Sequence, residues 1–342
     1  MSRSLPPDGG RASGRVVVVG AGLAGLAAAH RLRGFGYGVS VLEARTRAGG
    51  KHASETLGGV ACEPWPAFLP RGARAFTELA AELGVSSSLV REPQGLLGGL
   101  RGAHVHTFGS QLYAHMRWSP LAPLRLRRLA QLSSWLGGEI DAQAPERATR
   151  LDDRGVADFC RVYLGRRVLE RLVAPLFATL FGVDTSNTSR ELLFMLLDAR
   201  AGLALDRVSN VASLVAALEA NAGELRLGAK VVALEPDGRG VKLASGEIVA
   251  ADAVVLSVGA AEAMRLLPDP SPASLAAAPK LRSASALVLQ VATDADLALA
   301  ARIDDRDGVV EPGEGVELVA RFVENDGARS TAAHLDLVIF VR

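Results

Sequence analysis

The sequence predicts an α/β fold in which a parallel sheet with helices is interrupted by a mostly helical inserted region and followed by a second, β-sheet domain. Three observations predict it. Val16–Val19 and Ala253–Val258 are continuous apolar runs, as expected of strands buried on both faces of a parallel sheet. A strand, a glycine turn, a helix and a second strand follow one another between Val16 and Leu42, which is the βαβ unit with its right-handed crossover. Residues 70–222 are rich in helix formers, and the texture turns to short strands with Asp/Gly-rich loops after Pro268.

Taken in order, residues 1–13 lack the apolar core of a signal peptide and read as a disordered leader. The Ala- and Leu-rich run Leu23–Arg33 forms the first helix until Gly34, Gly36 and Gly38 stop it, and Val39–Leu42 is the second strand. Helices are expected over Ala73–Leu83, Ala122–Leu136, Gly155–Leu164, Val168–Phe181, Glu191–Leu197 and Val211–Ala220. Lys230–Glu235, Val241–Ala244 and Glu247–Ala250 form a meander, turned at Asp237-Gly238 and Ser245-Gly246. Ala253–Val258 then returns the chain to the first sheet. Ala286–Ala292, Gly315–Val323 and Leu335–Val341 are the strands of the second. The domain boundaries implied are 14–70 with 205–262 for a discontinuous nucleotide-binding domain, and 71–204 with 263–342 for a substrate domain.

Composition excludes several classes. With 38 Lys+Arg against 37 Asp+Glu the net charge is +1, too balanced for a nucleic-acid binder, and 49% hydrophobic residues exclude a disordered chain. Cys62 and Cys160 are too few for a disulfide framework and fit a reducing, cytoplasmic setting. No apolar run reaches the ~20 residues of a membrane span. His104, His106 and His115 lack carboxylate or thiol partners at metal-ligand spacing, so no metal site is expected. The basic helix Leu121–Leu136 carries Arg125, Arg127 and Arg128 beside a leucine arc. An ordinary domain-surface helix is the favoured reading, and peripheral membrane contact by snorkelling arginines is the alternative.

The chemistry concentrates in the first βαβ unit. Gly20-Ala21-Gly22-Leu23-Ala24-Gly25 is a G-x-G-x-x-G placed between a strand and a helix. Gly20 permits the tight turn, Gly22 lets a pyrophosphate reach the backbone, and Gly25 lets helix and strand pack closely. The helix N-terminus offers orphan N–H donors and about half a positive charge. Glu43 closes the second strand ~20 residues later, where its carboxylate can accept both ribose hydroxyls and would repel a 2′-phosphate. The unit is therefore Rossmann-type and selects FAD or NAD over NADP.

The continuation Glu43-Ala44-Arg45-Thr46-Arg47-Ala48-Gly49-Gly50-Lys51 resembles the flavoprotein superfamily of amine oxidases, protoporphyrinogen oxidases and carotenoid desaturases. The resemblance implies FAD as cofactor, with Gly49 and Gly50 touching it by backbone and Arg45 and Lys51 assisting. It extends over roughly residues 14–292. Asp153–Phe159, Leu164-Gly165-Arg166, Leu169–Leu176 and Asp184 with Ser189 look like the helical substrate-domain segment of protoporphyrinogen oxidases. Gly228–Glu235 is similar to the strand whose valine meets the adenine, which puts Val231 in that role. The implied cofactor set is Gly20, Ala21, Gly22, Leu23, Ala24, Gly25, Glu43, Ala44, Arg45, Gly49, Gly50, Lys51 and Val231, with no catalytic side chain assigned.

The activity implied is dehydrogenation of a small apolar or conjugated substrate, as in protoporphyrinogen oxidase, with hydride passing to FAD and then to oxygen or another acceptor. A carotenoid- or squalene-type desaturase and an amine oxidase are the alternatives within the superfamily. Three departures define an alternative of another class, a truncated or degenerate non-catalytic relative. Trp65 stands where a glycine near the flavin is usual; Asp206–Asn210 lacks the usual glycine pair; and the family's C-terminal FAD segment has no counterpart before Arg342.

Overall fold

The computed structural model describes residues 14–57, 60–62, 67–70, 73–93, 97–101, 104–108, 122–136, 140, 145–174, 177, 183–198, 202–203, 205–278, 285–293, 307–310, 316–323 and 333–341. The leader, the Glu63–Pro66 segment with Trp65, and His115 lie outside the described residues. Packing divides the chain into two units. The first comprises the residues up to Ser54, Thr77–Leu89 and Asn210–Arg282; the second comprises Glu55–Phe76, Val90–Ser209 and Ser283–Arg342. The first crossover thus falls after Ser54, earlier than the boundary at 70 drawn from sequence.

In the first unit the elements follow as β1 (Arg15–Val19), α1 (Leu23–Gly34), β2 (Gly38–Leu42), α2 (Arg74–Glu82, in this unit from Thr77), α3 (Val211–Ala220), β3 (Glu224–Arg226), β4 (Val231–Leu234), β5 (Gly240–Leu243), β6 (Ile248–Ala250), β7 (Ala253–Leu256), α4 (Ala260–Leu266) and α5 (Pro272–Ala277). Its sheet runs β3-β2-β1-β7, every pair parallel. Val17 faces Ser40 on one side and Val254 on the other, and Val16–Val19 are all buried, which is why this run shows no polar alternation. The return of β7 beside β1 is the re-entry expected from the sequence. Helix α1 lays Gly25, Leu26 and Ala29 inward, and complete burial of Leu26 contributes roughly 1.5–3 kcal/mol. The helix ends at Gly34 with Phe35 as its cap, and Gly36 just beyond takes φ +93°, open to a residue without Cβ. The β4-β5-β6 meander is antiparallel and closes a second core in which Val17, Val19 and Leu42 pack with Val231, Val241, Leu243 and Val249.

The second unit contains a helical core and a six-stranded sheet. The sheet order is 285–293, 333–341, 316–323, 307–310, 97–101, 104–108. The strands Val90–Pro93, Leu97–Arg101, His104–Phe108 and Leu205–Ser209 correct the reading of 70–222 as largely helical. Leu97–Arg101 holds two glycines and has no apolar alternation; it is a strand because 307–310 and 104–108 supply its hydrogen bonds. His104 and His106 do lie on a strand, paired with Arg101 and Gly99. The expected helix Val168–Phe181 begins as Arg166–Val168 and widens to a π-helical turn over Leu169–Val173.

The helical core gathers Leu129, Leu136, Phe159, Leu164, Phe177, Leu193 and Phe194. Phe159 stacks on Tyr163 at 4.8 Å and meets Phe194 edge-on at 5.4 Å. Arg190 lies over Phe159 at 5.6 Å while pairing with Asp153 at 2.7 Å. Helix Ala122–Leu136 joins this core through Leu129, Leu132 and Leu136, whereas Leu124 near its start is 65% exposed. Cys160 is buried here, and its burial pushes the thiol up to about 12. Among the described residues no helix is long and apolar enough to cross a membrane.

Candidate functional site

The site is built where β1, α1 and β2 meet in the first unit. Gly20 turns the chain out of β1 with φ +100°, and a Cβ there would sit 2.5 Å from the Ser257 carbonyl oxygen. Glycine is required by both angle and space. At Gly25 a Cβ would overlap the Gly20 carbonyl oxygen, so α1 can start this close to β1 only without one. Gly22 differs: a Cβ there would meet nothing within 4 Å, so its missing side chain leaves open space in front of the helix N-terminus.

Among the described residues no side chain caps that N-terminus. The Gly22 carbonyl accepts the first helical bond from Leu26 N–H at 3.0 Å, and no acidic residue stands in the first turn. The amides of Leu23 and Ala24 precede the first intrahelical donor, and together with the macrodipole they present a positive end to the open space.

Glu43 is fixed at this tip. Its Oε2 accepts from Ala21 N–H at 2.8 Å and its Oε1 from Arg45 N–H at 2.9 Å. Its backbone is held as well, the N–H donating to Arg226 O at 3.0 Å and the C=O accepting from Ala229 N–H at 2.8 Å. Each carboxylate oxygen keeps a lone pair for a further donor. Ala44 and Arg45 follow on the surface, and Gly228 N–H donates to Arg45 O at 2.8 Å.

The glycine pair reaches the same place. Gly49, at φ +95°, donates its N–H to Ala21 O at 2.8 Å and forms an isolated parallel bridge with Gly22. A Cβ on Gly50 would lie 3.1 Å from Gly22 Cα, so the second glycine lets the two turns touch. Lys51 is exposed in the 3₁₀ turn Gly50–His52. Gly20 through Gly25, Glu43 through Arg45 and Gly49 through Lys51 are therefore brought into one cradle. Val231 stands two residues after Ala229, whose N–H meets Glu43 O, and packs its side chain in the core with Leu42.

Two features escaped the sequence reading. Asp206–Asn210 contains no glycine, yet Asn210 at the start of α3 takes φ +61° itself, and its Nδ2 donates to Ser88 O at 2.7 Å. Asparagine tolerates this left-handed region, so the missing glycine is replaced locally. The other is His52, whose Nδ1 is buried without a hydrogen-bond partner among the described residues. Burial, then the neighbouring Lys51 charge, holds its pKa below the ordinary value of 6.5. A histidine directly after Gly-Gly-Lys was the available signal.

A fitting group is anionic, reaches Gly22 by its bulk and offers hydroxyls to Glu43. A dinucleotide meets these requirements.

The family described as "Flavin containing amine oxidoreductase" matches residues 23–323 of this chain. Amine oxidase [flavin-containing] B of Canis lupus familiaris is 34% identical over 141 residues, 39% of this chain and 25% of that protein. Coproporphyrinogen III oxidase of Bacillus subtilis (strain 168) is 28% identical over 181 residues, 51% of this chain and 38% of that one. The chain thus spans less than half the length of these curated relatives. Among solved structures, wild-type putrescine oxidase bound to putrescine superposes with a TM-score of 0.71 at 18% identity, over 97% of this chain and 76% of that one.

Proposed function

Because the chain belongs to the flavin-containing amine oxidoreductase family, we propose that it binds FAD in the first-unit cradle and oxidises a small substrate. The observation that carries this reading is the convergence of the uncapped α1 tip, the Glu43 carboxylate and the Gly49-Gly50 turn on the open space at Gly22. In it, the amides at Gly22, Leu23 and Ala24 would hold the diphosphate, and Glu43 would accept from the adenosine ribose hydroxyls with the lone pairs its two backbone bonds leave free. Arg45 and Lys51 would add positive charge at the same edge, and the Val231 backbone would meet the adenine, as the resemblance implies. The chemistry FAD supplies when bound is hydride abstraction followed by delivery of the electrons to oxygen or another acceptor. The second unit furnishes substrate recognition.

The substrate proposed is apolar or conjugated, of the porphyrinogen class, supported by the match to coproporphyrinogen III oxidase. An amine is the second reading, favoured by the match to amine oxidase B and by the family description. Anaerobic mixing separates them. The purified chain should be yellow or take up added FAD near one per chain, and its flavin absorbance should bleach with a porphyrinogen. Bleaching by primary amines alone transfers the substrate to the second reading, and protein that takes up no FAD overturns the proposal.

A further inference from the structure

His52 closes the 3₁₀ turn that carries the glycine pair, its N–H donating to Gly49 O at 3.0 Å. The turn is pinned to the α1 tip by Gly49 N–H on Ala21 O at 2.8 Å and by the contact of Gly50 with Gly22. The turn also packs against α3, whose buried side chains are Val211, Leu214, Val215 and Leu218, and Val215 Cγ1 would lie 3.1 Å from a Cβ on Gly49. None of these side chains can donate to or accept from an imidazole. A buried polar atom left unpaired costs free energy, and native structures tolerate few of them without a ligand, a water or a function to explain them.

We infer that His52 is a cofactor-contacting residue, its Nδ1 completing its hydrogen bonding on FAD when the cradle is filled. The inference rests on the FAD reading above and extends it to a residue that the glycine motifs do not include. The imidazole does this work in its neutral form, because burial and Lys51 both disfavour the cation. A neutral ring carries one donor and one acceptor nitrogen, so Nδ1 can meet either a hydroxyl or a phosphate oxygen by choice of tautomer. A leucine at this place would fill the same space, satisfy the apolar wall and make no hydrogen bond.

The test is titration of the apoprotein with FAD, read by quenching of flavin fluorescence, beside urea denaturation of the same apoproteins. His52→Leu should weaken FAD binding about tenfold, the value of one hydrogen bond to a partly charged partner. Its apoprotein should be at least as stable as the parent, since it no longer buries an unpaired nitrogen. His52→Asn, whose amide reaches the position of Nδ1, should restore affinity to within about threefold. Equal FAD affinity in the parent and His52→Leu overturns the inference and leaves the FAD reading standing. So does a His52→Leu apoprotein that is destabilised along with its affinity, with His52→Asn restoring neither. A parent protein that binds no FAD overturns both.

Discussion

At Glu43 four hydrogen bonds meet, two on its backbone and one on each carboxylate oxygen. Glu43→Ala is expected to weaken FAD binding by about 1–3 kcal/mol, measured by titration of the apoprotein, because Ala21 N–H and any ribose hydroxyl lose their acceptor together. Unchanged affinity would remove Glu43 from the ribose. His52 gives a pH prediction. Its folded pKa lies below its unfolded one, so between those two values the unfolded chain holds more protons. Apoprotein stability should therefore fall as pH drops from about 6.5 toward the lowered value, then level off. Denaturation midpoints from pH 8 to 5 for the parent and His52→Leu should show a gap that changes only in this window. Cys160 shifts the other way: its thiol, pushed up to about 12, stays protonated and should resist alkylation at pH 8 until the protein is unfolded. Mass mapping of the Cys160 peptide checks this.

At the level of the element, the glycine turn separates fold from ligand. Gly25→Ala sets a methyl against the Gly20 carbonyl and should cost upwards of ~3 kcal/mol of stability. Gly22→Val enters open space at an extended φ of −71°, so the apoprotein should lose at most about 1 kcal/mol. FAD binding should nevertheless collapse, because the branched side chain occupies the diphosphate's place. Parallel denaturation and FAD titration of the two variants decide it, and full FAD occupancy in Gly22→Val would contradict the geometry. The start of α3 behaves as a strained cap. Asn210→Gly removes the strain and the bond to Ser88 O together, whereas Asn210→Val keeps the strain and loses the bond, so valine should be the more destabilising by about 1–2 kcal/mol in denaturation.

For the whole molecule, a ligand bound only by the folded state raises apparent stability with its concentration. FAD at 100 times its Kd should add about 2.7 kcal/mol to the unfolding free energy, seen as a melting temperature that climbs with added FAD. Phe159, stacked on Tyr163 and edge-on to Phe194, is the centre of the second unit's helical core. Phe159→Ala should cost about 3–5 kcal/mol in denaturation. These two readouts address different units, each with its own buried cluster.

What the sequence determined by itself was the first buried strand and the set of glycine turns that the fold brings together with Glu43. Val16–Val19 is a strand buried on both faces, where residues must be apolar without interruption, and that signal is local; Ala253–Leu256 is equally apolar and pairs with it, but it ends the sheet with Ala253 exposed and Val254–Leu256 half-buried, which corrects the expectation of burial on both faces. The glycines and Glu43 were legible for a related reason: a turn without Cβ followed by an acid at the next strand's end is written in consecutive residues. Only the tertiary structure decided the rest. Leu97–Arg101 and Leu205–Ser209 become strands through partner edges far away in the chain. Asn210 takes a glycine's backbone angle with its amide on Ser88 O, and the turn that carries His52 packs against α3, more than 150 residues later. Backbone pairing and the isolation of a polar atom belong to the partners that surround a residue, and no pattern within one segment can encode them.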